Sequence, residues 1–425
     1  MKKNILDVIV IGAGHAGLSL GYYLKQSGMS HIIFEKGQIG DSWRSQRWDS
    51  FVLNTPHIMN TLPGEVASGN EEEFQSAEKY LSTLNSYVSK HQLNVAVFHH
   101  VVSVDKAATG RYFIVTVLNH AELKTFYASQ VVICSGSQTK RKVPAFAANL
   151  SSHIKQLHTS EYRNVSQLPA GGVLVVGGGQ SGCQIAEDLA MNGKKVYLST
   201  SKVGRLPRCY RGKDVMEWLM MMKFFSVRAE DIVDPEMKHM TPPQLTGADG
   251  GKTTLSLQSL ARKGVTILGR MEAADGSHVT FQPDAAEHVK FADAFSQNIK
   301  NMIDQFIQDN QVSAPVAQID PADLPDPETS CASAITELDL DDYNITSVIW
   351  TTGFSADFGY IRLPVLDAQG WPVHNRGMSS IDGLYFLGLY WLRDRKSGLL
   401  GGMADDAEFI SVKLREYSRQ SVVNA

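Results

Sequence analysis

Two glycine-rich turns carry most of the chemistry legible in this chain of 425 residues. In VIVIGAGHAGLSL, Gly12, Gly14 and Gly17 follow an apolar run, and in VLVVGGGQSGCQI, Gly177, Gly179 and Gly182 repeat the spacing. The first glycine of such a turn permits the tight bend, the second lets the backbone approach a pyrophosphate, and the third lets the helix pack close to the strand. The helix N-terminus then faces the anion. The residues beyond the two turns differ. Glu35 ends the next apolar run after the first, HIIFE, where a carboxylate accepts both hydroxyls of an adenosine ribose. After the second, KVYLSTSK ends in Ser199, Thr200 and Ser201, and Lys202, Arg205, Arg208 and Arg211 come next. Hydroxyls and guanidinium groups hold a 2′-phosphate that a carboxylate would repel. The first turn is therefore expected to hold FAD, and the second NADPH in preference to NADH. One such turn is weak; two, each between a strand-like run and a helix-like run, are strong.

The remaining composition narrows the class. Lys and Arg total 40 against 44 Asp and Glu, with no basic tract beyond the arginines after the second turn, so nucleic acid is not an expected partner. Cys134, Cys183, Cys209 and Cys331 are scattered without CxxC or zinc-like spacing, which implies a reducing compartment. Lys2 and Lys3 before an apolar stretch imitate a secretory leader, yet that stretch is better used as the first strand and turn. No run of about 18 apolar residues appears, so no membrane span is expected and a cytoplasmic location is. No metal site is expected either: His99 and His100 are adjacent in a strand-like segment and point to opposite faces.

The elements that must position these residues read as α/β. Strand-like runs lie around Val95 to Val104, Tyr112 to Leu118 and Val131 to Cys134, and a helical stretch runs from about Glu72 to His91. A second unit opens at Gly172, and SVIWTTGF at Ser347 to Phe354 is a comparable strand end. Between them lie the Met/Trp/Phe-rich segment Met216 to Phe225, the loop TPPQLTGADGGKTT, a helix-like ADAFSQNIKNMIDQFIQDN and a Pro/Asp/Ala stretch from Ala314 to Ser333. The Met216 segment is either an apolar pocket wall or a buried helix at helical spacing, and the latter is favoured. The expected architecture is two dinucleotide-binding, Rossmann-like domains. The NADPH domain (166–340) is inserted into a discontinuous FAD domain (1–165 and 341–425).

Taken together, the two turns in order, GDSWR, LNTP, the strand ends SG and TTGF, and the run GLYFLGLYW make the chain resemble the single-component flavin monooxygenases that use FAD and NADPH. The likeness spans nearly the whole chain. It implies that Gly12, Gly14, Gly17, Glu35, Trp43 and Arg44 bind FAD, and that Gly177, Gly179, Ser181, Gly182, Thr200 and Arg205 serve NADPH. Asn54 resembles the asparagine near the reactive face of the flavin. The family's F-x-G-x-x-x-H-x-x-x-Y fingerprint is half present: His158 and Tyr162 fit, while Ser152 and Ile154 stand at the phenylalanine and glycine positions. A tyrosine there leans away from the Baeyer–Villiger branch. His158 is also read as a linker histidine bonded to a backbone carbonyl.

The activity this implies is hydride transfer from NADPH to FAD, capture of O2, and transfer of one oxygen from a C4a-(hydro)peroxyflavin to a small organic substrate by N- or S-oxygenation or hydroxylation. The competing reading is an NADPH-dependent flavoprotein reductase without oxygenation. A thiol-relay disulfide reductase is disfavoured by the missing CxxC, and a redox-sensing module by the complete second nucleotide turn. The expected partners are the substrate and O2, with a homodimer left open.

Overall fold

The computed structural model describes residues 4–66, 74–234, 237, 242–248, 253–325 and 331–423. Strand β1 (Ile5–Ile11) leads through the first glycine turn into helix α1 (His15–Gln26), and β2 (His31–Phe34) follows. Val8, Ile9 and Val10 are fully buried, as a central parallel strand covered on both faces requires. Strands β3 (Val95–Ala96), β4 (His100–Lys106), β5 (Phe113–Asn119) and β6 (Glu122–Ile133) complete a sheet ordered β3-β2-β1-β6-β5-β4. Its β1, β2, β3 and β6 run parallel, with Val10 opposite both Ile33 and Val132, whereas β4, β5 and β6 form an antiparallel meander. The far end of the chain closes this unit. Strand Leu384–Phe386 pairs in parallel with Val131–Ile133, and helix Leu400–Val423 packs on α1.

A second sheet is all parallel, in the order Thr266–Leu268, Val196–Ser199, Gly172–Val176, Ile345–Trp350, Lys155–His158. This is the expected pair of Rossmann-like units with the second inserted into the first. Both crossover points move, however. Lys155–His158 belongs to the second sheet although it precedes 166, and Ile345–Trp350 does so although it follows 340. The short, mixed KQLH strand carries no periodicity of its own. Its place is set by pairing with Ser347–Trp350.

Of the segment Met216 to Phe225, the part up to Met221 is a helix with one face buried, as favoured, and Met220 and Met221 are exposed. Helix Val215–Met221 is capped by Asp214, whose carboxylate accepts from Met216 N–H at 2.8 Å. Its Met216, Trp218 and Leu219 pack with Ile299 and Ile303 of the long helix Ala285–Asp309. The helix foreseen from Glu72 starts at Ala77, capped by Ser76, and Glu72 lies outside the described residues. So do parts of the loop 241–254 and of the stretch 314–333. Among the described residues no helix is long and apolar enough to cross a membrane.

Candidate active site

The two glycine turns are built alike, with backbone angles that differ by no more than about 13°. Gly12 and Gly177 take φ of 109° and 122°, and Gly14 and Gly179 take φ/ψ of −83°/−171° and −77°/−176°. A Cβ on Gly17 would lie 1.9 Å from the Gly12 carbonyl oxygen, and one on Gly182 would lie 1.9 Å from that of Gly177. Those glycines are needed to fold. Gly14 and Gly179 are different, because a Cβ on either meets nothing within 4 Å. The protein leaves that space clear, and it is where a pyrophosphate would lie. Neither helix has a side-chain cap, so the first N–H groups stay available to an anion.

Glu35 sits against the first turn. Its carboxylate accepts from Ala13 N–H at 2.8 Å and from Gly37 N–H at 3.0 Å. It is only 7% exposed. Burial pushes its pKa above the ordinary carboxylate range, and the two N–H groups oppose that shift only in part. Two ribose hydroxyls would supply the missing donors, so clear cradle and buried carboxylate together fit FAD. The GDSWR segment lies alongside through Gly40 N–H donating to the Ala13 carbonyl at 3.1 Å. Trp43 meets the Tyr80 ring edge-on at 5.2 Å and the Arg47 guanidinium at 4.9 Å, while Arg44 is exposed. His15, the first residue of α1, is bonded to the Tyr80 hydroxyl at 2.6 Å. Burial lowers its pKa to about 4, so it carries no charge at neutral pH.

The second site departs from expectation at its basic end. Thr200 is buried, its hydroxyl bonded to the Leu268 carbonyl at 2.7 Å and to His288 Nδ1 at 3.0 Å. Arg205 is 1% exposed, held by Asp293 at 2.9 Å and Asp323 at 2.8 Å, with Ser296 at 3.1 Å. Arg208 pairs with Asp214, and Arg211 with Asp304 at 2.6 Å. Thr200 and Arg205 are thus tied into the protein's own interior, where long-range carboxylates neutralise a guanidinium whose burial would otherwise be costly. What remains at the strand end is Ser201 and Lys202, both exposed, with Glu287 3.8 Å from the Lys202 ammonium. The clear cradle at Gly179, the missing acid and this ammonium fit NADPH. Ser181 is partly buried in the first turn of helix Gln180–Met191.

Asn54 joins the two units. Its side-chain Oδ1 accepts from Gln184 Nε2 at 3.3 Å, and its backbone carbonyl accepts from Arg208 at 3.2 Å. Gln184 lies on the helix that starts at the second glycine turn. Sequence reasoning missed it. The available signal was Gln180, Gln184 and Glu187, polar residues at helical spacing beside the apolar Cys183, Ile185, Ala186 and Leu189. His158 takes the linker role: Nε2 faces the Gly353 carbonyl at 3.0 Å and Nδ1 faces Ser160 Oγ at 2.9 Å. Because a carbonyl only accepts, the proton is on Nε2, and burial keeps the ring neutral by lowering its pKa. Tyr162 donates to Asp188 at 3.0 Å. None of the four cysteines is in a disulfide, and burial pushes the Cys134 and Cys183 thiols up, out of the reactive range.

Comparison with known proteins agrees with this architecture. A family model described as pyridine nucleotide-disulphide oxidoreductase matches residues 9–236. An uncharacterised CzcO-like oxidoreductase of Geobacillus kaustophilus (strain HTA426) is 32% identical over 411 residues, covering 96% of this chain and 98% of the relative. A flavin-containing monooxygenase from Stenotrophomonas maltophilia superposes with a TM-score of 0.64 at 18% identity, over 98% of this chain and 99% of that one. The ornithine N-hydroxylase of Kutzneria sp. 744, solved with reduced FAD, NADP+ and L-ornithine, gives 0.64 at 16% identity, over 97% and 100%. Likeness at that identity shows a shared fold.

Proposed function

The chain belongs to the pyridine nucleotide-disulphide oxidoreductase family, and from that premise we propose that it is an FAD- and NADPH-dependent monooxygenase. It would use NADPH and O2 to oxygenate a small organic substrate by N- or S-oxygenation or hydroxylation. When bound, NADPH supplies the hydride and FAD the two-electron carrier that meets O2.

The observation that carries the reading is the position of Asn54. It is a residue of the first unit held by the helix of the second nucleotide turn, which would put it between FAD and NADPH were each bound at its own glycine turn. An amide there supplies a preorganised hydrogen bond at the flavin without adding a charge. The lack of any disulfide among the four cysteines, and of CxxC spacing, favours oxygen over a thiol relay as the electron acceptor. Glu35 and the clear space at Gly14 would hold FAD. Gly179, Ser181, Ser201 and Lys202 would hold NADPH. Trp43 and Arg47 would cover the first turn from the side of the GDSWR segment.

The test is single turnover. Protein reduced by NADPH without air is mixed with isotopically heavy dioxygen and a panel of amines, sulfides and carbonyl compounds, and products are read by mass spectrometry. One heavy oxygen in an organic product supports the proposal. Hydrogen peroxide alone with every compound, together with rapid reduction of an added electron acceptor, would make the protein a reductase.

A further inference from the structure

The helix Gln180–Met191 turns Gln180, Gln184 and Glu187 toward residues 245–248, which lie over it as a strap. Gln180 Oε1 accepts from Leu245 N–H at 2.5 Å, and its Nε2 donates to the Thr246 carbonyl at 2.7 Å. Glu187 accepts from Ala248 N–H at 2.5 Å. Between them, Gln184 Nε2 donates to the Gly247 carbonyl at 3.2 Å. A backbone carbonyl only accepts, so the end of the Gln184 amide that faces it must be the NH2. That same nitrogen lies 3.3 Å from Asn54. Its second hydrogen needs an acceptor, which makes the facing Asn54 atom the oxygen Oδ1. The Asn54 NH2 is then the end turned away from Gln184. Arg208, paired with Asp214, fixes the Asn54 backbone carbonyl from the same unit.

From this chain of donors and acceptors we propose that Gln184 is a positioning residue: held by the Gly247 carbonyl, it orients Asn54 so that Nδ2 is the hydrogen-bond donor offered to the reacting face of the flavin. The inference rests on the role given to Asn54 above. It adds that the direction of this amide is set by the nicotinamide-binding unit and its strap, so the donor is in place only when the two units are docked.

Gln184→Glu tests it with almost no change of volume. A carboxylate cannot serve the Gly247 carbonyl, and it draws the Asn54 NH2 toward itself and turns the amide round. Gln184→Leu removes the donors without adding an acceptor and serves if the first variant fails to fold. Two measurements are made on the holoprotein. One is the Asn54 side-chain amide resonance in isotope-labelled protein, assigned by its loss in Asn54→Ala. The other is the interval before oxidised-flavin absorbance returns when NADPH-reduced protein is mixed with air-saturated buffer. The resonance is expected to move in Gln184→Glu, and the interval to shorten about tenfold, the effect of one hydrogen bond, as in Asn54→Ala. An unmoved resonance overturns the proposal, as does an unchanged interval in Gln184→Glu where Asn54→Ala shortens it. If Asn54→Ala leaves the interval unchanged, the role of Asn54 falls and this inference with it. A resonance that still moves would locate that failure in the chemistry and not in the hydrogen bond.

Discussion

Arg205 donates from Nε to the Asp293 carboxylate at 2.9 Å across 88 positions of the chain, and its side chain is 2% exposed. The same guanidinium reaches Asp323, which also holds the Lys300 ammonium. A cation so placed belongs to the interior of the second unit, although its sequence neighbourhood reads as a phosphate site. Arg205→Ala should therefore cost folding stability, about 1.5–3 kcal/mol, because Asp293 loses its cation while Asp323 keeps only Lys300. The ratio of Michaelis constants for NADPH and NADH should stay as in the parent. Denaturant unfolding and steady-state kinetics read the two quantities, and a stable variant that loses its nucleotide preference would restore the phosphate role.

Discrimination between the nucleotides should fall instead to Lys202, whose ammonium is exposed and 3.8 Å from its nearest acid, Glu287. A solvent-screened contact to a 2′-phosphate is worth about 1 kcal/mol, so Lys202→Ala should raise the Michaelis constant for NADPH roughly fivefold and leave that for NADH alone. The effect should shrink as salt is added. An equal change for both nucleotides would rule out a phosphate contact.

The glycines of each turn should separate into two classes. Gly14→Ala places a methyl where nothing lies within 4 Å, so the protein should fold with a loss of no more than about 1 kcal/mol and yet be purified without FAD. Gly17→Ala drives a Cβ to 1.9 Å from the Gly12 carbonyl oxygen and should cost about 3 kcal/mol, the upper end for overpacking. Thermal melting and flavin absorbance decide both. Full FAD occupancy in Gly14→Ala would remove the pyrophosphate from this turn.

Those turns, and Glu35 at the end of β2, were legible because their physics is local: a bend, a close approach and a carboxylate at a fixed distance along one strand-turn-helix unit. The return of the tail to the first sheet was legible for a similar reason, since GLYFLG is an apolar strand ending in glycine. The burial of Arg205 was not legible because its partners, Asp293 and Asp323, lie on a distant helix and a distant turn, and no local pattern announces an ion pair. Gln184 escaped notice for the same cause, being 130 positions from Asn54. The crossover at Lys155–His158 was hidden because a four-residue strand of mixed character is placed by its neighbour and not by its own periodicity.

Asp406 offers a test by pH. It is fully buried in helix Leu400–Val423, with Oδ1 3.3 Å from Arg393 and Oδ2 without a partner among the described residues. Burial pushes its pKa up from 3.8 to about 6. Between those values the folded protein binds this proton more tightly than the unfolded chain does. Its contribution is therefore fully present below the unfolded pKa and is lost as pH rises through the folded one. Asp406→Asn removes that dependence while keeping the shape and an acceptor for Arg393. The stability of the variant relative to the parent should rise across the interval from about pH 4 to about pH 6 and level off above it. The total gain should be on the order of 2–3 kcal/mol, two pKa units of differential protonation. Denaturant unfolding of both proteins at a series of pH values measures the difference directly. A difference that stays flat across the series would mean that Asp406 ionises in the folded protein as readily as in the unfolded chain, and that Arg393 fully offsets its burial.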